Sequence, residues 1–222
     1  RLIFLYAKEN CINIIDGDKL AALCVWFSFS FLKEYYTSNF SCAVVTTNYS
    51  NSACREFIKD MDISIVICPT GFKYLEEAAH DLDIAILFET NGHFKFYVSD
   101  RFFNNVVQNS DERTKSILTL LHKNKYADST LNLFIFLAIK NVLNLTWERV
   151  AGLYATRPLV NFVVEVGNKD KIIVDELTGV IKQPEDLREF LTTLHNQHSN
   201  SKIRIFLRPS GTENLIRVCV EG

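Results

Sequence analysis

The sequence predicts an α/β protein: a strand-helix layered α/β/α domain followed by a smaller α+β C-terminal domain. Short apolar, β-branched runs at 41–46, 63–67 and 84–88 are separated by helical patterns, the alternation expected of an α/β layer. The pattern changes at Thr156-Arg157-Pro158, a hinge-like connection followed by strands and one amphipathic helix. A chain of 222 residues, 48% hydrophobic and 23% charged, is long and apolar enough to build two modest cores. The expected divisions are 1–8 as the end of a preceding domain, 9–155 as the α/β/α domain, and 156–222 as the α+β domain.

Taken in order, Arg1 to Ala7 reads as a strand, Lys8-Glu9-Asn10 as a turn and Cys11 to Ile15 as a second strand. The chain starts with Arg1 directly inside an apolar run, as a piece of a longer chain would. Asp16-Gly17-Asp18-Lys19 comes next. Two carboxylates at that spacing can share a hard cation. Alternatively, Asp16 or Asp18 caps the following helix and places negative charge at its positive end. The capping reading is preferred, because such a residue directly before a helical apolar pattern is a start signal. That helix is expected from about Lys19 to Tyr36.

A strand at Ser41 to Thr46, a polar stretch at Asn48 to Ser52, a short helix at Arg55 to Asp60 and a buried strand at Ile63 to Ile67 follow. Then come a helix at Lys73 to His80, a buried strand at Ile84 to Phe88 and a strand around Phe96 to Ser99. Mixed helix and loop fill Arg101 to Lys125. Asp128 to Asn144 is a strongly apolar helical segment, with Leu131, Phe134, Ile135, Ala138 and Val142 expected in the core. A short helix at Thr146 to Tyr154 closes the first domain. Beyond the hinge, strands are expected at Val160 to Val166 and Ile172 to Val174. A helix at Pro184 to Gln197 should bury Leu187, Phe190, Leu191 and Leu194. Two last strands, Lys202 to Leu207 and Leu215 to Val220, flank a short loop.

The net charge of −2 gives no electrostatic basis for nucleic acid or an anionic membrane surface as the main partner. The longest apolar run, Leu20 to Leu32, is too short to span a bilayer. The six cysteines (11, 24, 42, 54, 68 and 219) contain no Cys-x-x-Cys pair and read as reduced thiols of a cytoplasmic protein. Seventeen Phe spread along the chain are better explained by a packed core than by an aromatic binding platform. Nothing in the sequence sets an oligomeric state.

Three stretches carry chemistry. Arg208-Pro209-Ser210-Gly211-Thr212-Glu213 lies between two strands, where backbone N–H groups, two hydroxyls and a guanidinium make a cradle for phosphate. Arg217, on the outgoing strand, would add a second positive charge. An ordinary hairpin turn with a surface Arg is the competing reading. Glu89-Thr90-Asn91-Gly92-His93 leaves the end of a buried strand. Its acid, amide and imidazole suit a polyhydroxylated sugar, and Gly92 permits close backbone approach; a polar turn with a surface His is the alternative. Thr70-Gly71, between a strand and a helix, stands where α/β folds place ligand loops.

In this order the motifs resemble those of the α-D-phosphohexomutases, which move phosphate between two positions of a sugar. Arg208 to Glu213 resembles the C-terminal phosphate loop, Glu89 to His93 the sugar loop, and Thr70-Gly71-Phe72-Lys73 a loop that lines the active site. The resemblance implies that Arg208, Ser210, Gly211, Thr212 and Arg217 bind phosphate. It implies that Glu89, Asn91 and His93 bind the sugar, with Thr70 and Gly71 lining the site. Asn91 stands where most branches have Ser, which points to the branch that handles N-acetylglucosamine phosphates. Phe94 stands where the family usually has Gly, and a bulky residue there should alter the backbone after the loop.

The family works through a phosphoserine and a bisphosphate intermediate, with Mg²⁺. Arg1 looks like the last residue of the family's Asp-Gly-Asp-Ala-Asp-Arg metal loop, so the resemblance puts the Mg²⁺ ligands and the phosphoserine before Arg1. It assigns Asp16 and Asp18 to neither role. It also implies a hexosamine phosphate as substrate; a glucose, mannose or glucosamine phosphate, or a non-catalytic sugar-phosphate-binding module, are the alternatives.

Overall fold

In a computed structural model, residues 1–32, 40–198 and 203–222 are described. They divide into two compact units, Arg1–Ala155 and Thr156–Gly222.

The first unit is organised by a four-stranded sheet. Its strands are β3 (Cys42–Thr47), β4 (Ser64–Cys68), β5 (Ile84–Phe88) and β6 (Phe94–Val98), in the order β4-β3-β5-β6. β3 is parallel to both β4 and β5, and β6 turns back antiparallel on β5. Side chains alternate along each strand, so both faces of the sheet are apolar and both are covered. On one face Val44, Ile84, Ile86, Phe88, Phe94 and Phe96 join a core with helices α1 (Gly17–Phe27), α2 (Ser52–Asp60), α5 (Glu112–Lys123) and α6 (Ser129–Val142). On the other, Val45, Ala85 and Leu87 pack against Leu75 and Ala79 of α3 (Phe72–Ala79). This is the α/β/α layering. Each fully buried Phe contributes about 2–3 kcal/mol through area removed from water.

An N-terminal hairpin, β1 (Phe4–Lys8) and β2 (Cys11–Ile15), is closed by Glu9 and Asn10 at φ 51° and 63°, a two-residue turn whose twist suits a hairpin. It leads directly into α1, which starts at Gly17, two residues earlier than expected. Asp16 is the N-cap, its carboxylate accepting from the Lys19 N–H at 3.0 Å. α1 ends at Phe27 and continues as one wider π turn, Ser28–Leu32. The rest of the predicted helix, from 33 to 36, lies outside the described residues, as does Lys202 of the last predicted hairpin. Helices α4 (Asp100–Val106) and α7 (Trp147–Ala151) complete the first unit.

The sequence reading of α6 needs correction. Its inward stripe is Asn132, Ile135, Phe136 and Ile139, the i, i+3, i+4, i+7 pattern, and Phe134 points away at 57% exposure. The buried Asn132 is satisfied: its Nδ2 donates to the Phe94 carbonyl at 2.7 Å, and its Oδ1 accepts from Asn124 at 2.8 Å.

The second unit holds an antiparallel sheet of β7 (Leu159–Glu165), β10 (Arg204–Pro209) and β11 (Leu215–Glu221) in the order β10-β11-β7. A small hairpin, β8 (Ile173–Val174) with β9 (Ile181–Gln183), and helix α8 (Glu185–Gln197) accompany it. β9 is too short to announce itself by periodicity. Its core is Ile181, Leu207 and Ile216, against which Leu187 and Leu191 pack. Phe190, predicted to share that face, is instead 61% exposed. The fully buried Glu221 carboxylate pairs with the guanidinium of Arg204, its direct cross-strand partner, which pins the register of β10 on β11.

Candidate functional site

In the first unit, the carboxyl ends of β3, β4 and β5 deliver three loops to one edge of the sheet, the edge where parallel α/β sheets gather ligand loops. Glu89 to His93 is the hairpin connection from β5 to β6. The Glu89 N–H donates to the His93 carbonyl at 2.9 Å, and the Gly92 N–H donates to the Glu89 carbonyl at 2.9 Å. Gly92 needs to be glycine: its φ is +84°, and an added Cβ would lie 2.1 Å from the Leu2 carbonyl oxygen. Leu2 and Gly17 grip the loop from below. The Leu2 N–H bonds the Gly92 carbonyl at 2.9 Å, and the Gly17 N–H bonds the Thr90 carbonyl at 3.1 Å. A Cβ on Gly17 would collide with the Glu89 carbonyl at 2.1 Å, so the glycine between the two aspartates is what lets α1 seat against this loop.

The side chains of the loop are posed for different tasks. Glu89 is 8% exposed, with one oxygen 3.4 Å from Nδ1 of His93. Asn91 is exposed and uses its Oδ1 to accept from the His93 N–H at 3.0 Å, an Asx turn. Its amide NH₂ is thereby turned to donation, which narrows the donor-and-acceptor role expected from the sequence. The His93 ring packs on Phe72, the first residue of α3, with centroids 4.4 Å apart. That contact brings the Thr70-Gly71 loop beside the Glu89–His93 loop. Gly71 takes φ +135°, a backbone state that favours glycine, and forms the uncapped N-terminus of α3. Phe94 opens β6 opposite Phe88, fully buried, with its ring 4.6 Å from that of Phe136. The core absorbs its bulk, and the Asn132 bond to the Phe94 carbonyl fixes the backbone immediately after His93.

Behind these loops lies a polar cluster that the sequence reading did not assemble. Asp18 is 1% exposed; its Oδ1 accepts from the Asn51 N–H at 2.9 Å, which ties α1 to the loop after β3. The Thr90 hydroxyl lies close enough to Asp18 to offset part of the effect of its burial and also donates to the Tyr49 carbonyl at 3.2 Å, while by geometry Asp18 Oδ2 has no hydrogen-bond partner among the described residues. Burial, reinforced by the charge of Asp16, pushes the Asp18 carboxyl up to about 7. Lys19, pushed down by burial, lies over the Tyr154 ring and bonds the Tyr154 carbonyl. Arg55 knits the loop after β3 through the Ser50 hydroxyl at 2.7 Å and the Asn48 carbonyl at 2.8 Å.

A divalent cation does not fit here. Asp16 is committed to capping α1, Asp18 is sealed and raised toward its neutral form, and Lys19 brings a positive charge to the same spot. Among the described residues no group of three or more His, Cys, Asp or Glu is arranged to hold a metal. None of the described helices is long and apolar enough to cross a membrane.

In the second unit, Ser210 to Asn214 form the turn between β10 and β11. Arg208 and Arg217 are direct cross-strand partners, both exposed, and among the described residues neither has an acidic partner. Like charges directly opposed across a strand pair cost stability, a cost that an anion placed between them would relieve. The Ser210 N–H closes the turn onto the Leu215 carbonyl at 2.9 Å. Ser210 Oγ accepts long bonds from the N–H groups of Thr212 at 3.4 Å and Glu213 at 3.3 Å. Gly211 is exposed, and a Cβ there would meet nothing within 4 Å, so the backbone is open to a ligand. Lys169, which sequence reasoning missed, donates to the Ser210 and Gly211 carbonyls at 2.8 and 2.7 Å.

Residues 16–145, more than half of the chain, match the family model for phosphoacetylglucosamine mutase AMG1, domain III. The chain belongs to the phosphoacetylglucosamine mutase family. Residues 159–222 match the C-terminal domain of phosphoglucomutase/phosphomannomutase. Among phosphoacetylglucosamine mutases, the chain is 30% identical to phosphoacetylglucosamine mutase 1 of Schizosaccharomyces pombe over its whole length, which is 44% of the relative. It is 26% identical to a solved N-acetylglucosamine-phosphate mutase in a substrate complex, with TM-score 0.86, covering 100% of this chain and 43% of that one. The Aspergillus fumigatus N-acetylphosphoglucosamine mutase, solved with GlcNAc-6P and magnesium, shares the fold at TM-score 0.88 and 23% identity, over 99% of this chain and 43% of that one. The chain thus spans less than half the length of the phosphoacetylglucosamine mutases it matches.

Proposed function

We propose that these residues are the substrate-recognition part of a mutase that interconverts N-acetylglucosamine 6-phosphate and N-acetylglucosamine 1-phosphate, in the supply of UDP-N-acetylglucosamine. The observation that carries the proposal is the Arg208–Arg217 pair, opposed across β10 and β11 with no acid to relieve it among the described residues. The two guanidiniums supply bidentate donors to a phosphate, and the Gly211 and Thr212 N–H groups with the Ser210 and Thr212 hydroxyls complete the set. Such a loop holds the phosphate that is not reacting. That suits a reaction through a bisphosphate, in which either phosphate must be able to occupy it.

In the first unit, the Glu89 carboxylate accepts from vicinal sugar hydroxyls and the Asn91 amide donates to an oxygen of the hexosamine. His93, held between Glu89 and Phe72, donates beside them, and Thr70 and Gly71 line the same edge. No nucleophile is assigned to this chain. Magnesium, which accompanies the ligand in one relative, would neutralise the transferring group; it is assigned no ligand here and no step is derived through it. The buried thiols of Cys24, Cys54, Cys68 and Cys219 suit a reducing cytoplasm.

The test is isothermal titration with N-acetylglucosamine 1-phosphate of the wild-type chain and of Arg208→Ala. The expected result is saturable wild-type binding that weakens about tenfold or more in the variant, the loss of a charge-assisted bidentate contact. Equal affinity would remove the phosphate role from the loop.

A further inference from the structure

We infer that Lys169 is a positioning residue that holds the Ser210–Thr212 backbone in its anion-receiving conformation, an inference that rests on the phosphate reading of the loop. Lys169 lies 41 residues before Ser210 and reaches the loop because β7 pairs with β11. The chain leaving β7 is tied to the loop where the Val166 N–H bonds the Asn214 carbonyl at 2.9 Å. The single 3₁₀ turn Lys169–Lys171 then fixes the Lys169 backbone, with Asn168 Oδ1 accepting from the Asp170 N–H at 2.9 Å and the Ile172 N–H bonding the Lys169 carbonyl at 2.9 Å. Ile172 is anchored in turn against the core of the second unit.

The ammonium takes two consecutive carbonyls, Ser210 at 2.8 Å and Gly211 at 2.7 Å. In a planar trans peptide the carbonyl and the N–H of the next residue point to opposite sides. Drawing both carbonyls toward Lys169 therefore turns the Gly211 and Thr212 N–H groups toward the other side. The Gly211 N–H has no acceptor among the described residues, and the Thr212 N–H has only the long bond to Ser210 Oγ at 3.4 Å. Two adjacent, underused N–H groups facing the same way form an anion-binding concavity. A backbone with an exposed glycine at its centre would otherwise sample many arrangements. Two of the three ammonium donors are spent on carbonyls, so the contribution assigned to Lys169 is orientation of the loop.

The experiment compares the whole chain with Lys169→Met and Lys169→Arg by amide NMR, first free and then titrated with inorganic phosphate. The expected result in the free Met variant is a loss of backbone order at Gly211 and Thr212, with the melting temperature and the rest of the spectrum retained. In the titration its Gly211 and Thr212 shift responses shrink and the apparent affinity falls about tenfold, the scale of one charge-assisted hydrogen bond. Lys169→Arg, which keeps the charge and the donors, restores both readouts. A wild type that responds to phosphate beside a Met variant with unchanged loop order and response would overturn this inference alone. A wild type whose loop amides ignore phosphate would overturn the phosphate reading and this inference with it.

Discussion

At the scale of single residues, the buried Asp18 gives the sharpest consequence. Its carboxyl is pushed up to about 7 in the folded chain, by burial first and by the charge of Asp16 second, against an ordinary value of 3.8. The Thr90 hydroxyl, the Asn51 N–H and then the charges of Arg55 and Lys19 act against that rise, and the neighbouring Asp16 is itself raised. The folded state therefore keeps a proton that the unfolded state releases. The stability this proton gives is fully present below about pH 4 and is lost as pH rises through about 7, at roughly 1.4 kcal/mol per pH unit within that window. Asp18→Asn keeps an oxygen for the Asn51 N–H and imitates the protonated acid. Thermal unfolding at pH 5 and pH 8 should show a larger drop for wild type than for Asp18→Asn. Identical drops would place the proton elsewhere.

Residue by residue, the legible part of the candidate site was the part written as local strings. Glu89–His93 and Arg208–Glu213 each occupy one turn, so their neighbours in sequence are their neighbours in space. Lys169 and Asn132 were not legible, because each acts on a backbone about 40 residues away and sits in no motif. From sequence Asp18 reads as a cap or a cation ligand; its bond to Asn51, 33 residues on, depends on how α1 packs.

At the scale of elements, the three parallel strands were legible because they read as continuous apolar runs, with β3 and β5 buried on both faces; β5 is Ile-Ala-Ile-Leu-Phe and wholly buried. Helix faces were less legible. α6 carries apolar residues around most of its circumference, so its pattern does not single out the inward side, and Phe134 was misplaced while Asn132 was missed. The hairpin from β5 to β6 also depends on its contact with the segment before β1. Gly92 at φ +84° lies against the Leu2 carbonyl, where a Cβ has no room. Gly92→Ala should cost about 2–4 kcal/mol through backbone strain and overpacking, measured by urea unfolding followed through the first unit. A change below about 0.5 kcal/mol would mean that Leu2 does not press on this loop.

At the scale of the whole molecule, the proposed function gives each of the two units a recognition surface of a different chemical kind. In that proposal the first uses the polar groups of Glu89, Asn91 and His93 at a sheet edge, and the second uses the Arg208–Arg217 pair, which has no acidic partner among the described residues, beside the Gly211 and Thr212 N–H groups. A molecule that needed only to hold an anion would have use for the second alone. The proposed function asks for both, since a hexosamine phosphate has a sugar to be recognised as well as a phosphate. The measurement that tests this most directly is the affinity of the chain for N-acetylglucosamine 1-phosphate beside its affinity for inorganic phosphate, by titration calorimetry in one buffer. The sugar phosphate should bind at least about tenfold more tightly, the scale of one or two added hydrogen bonds to the sugar. Equal affinities would mean that the chain recognises a phosphate and not a hexosamine phosphate, and would contradict the account.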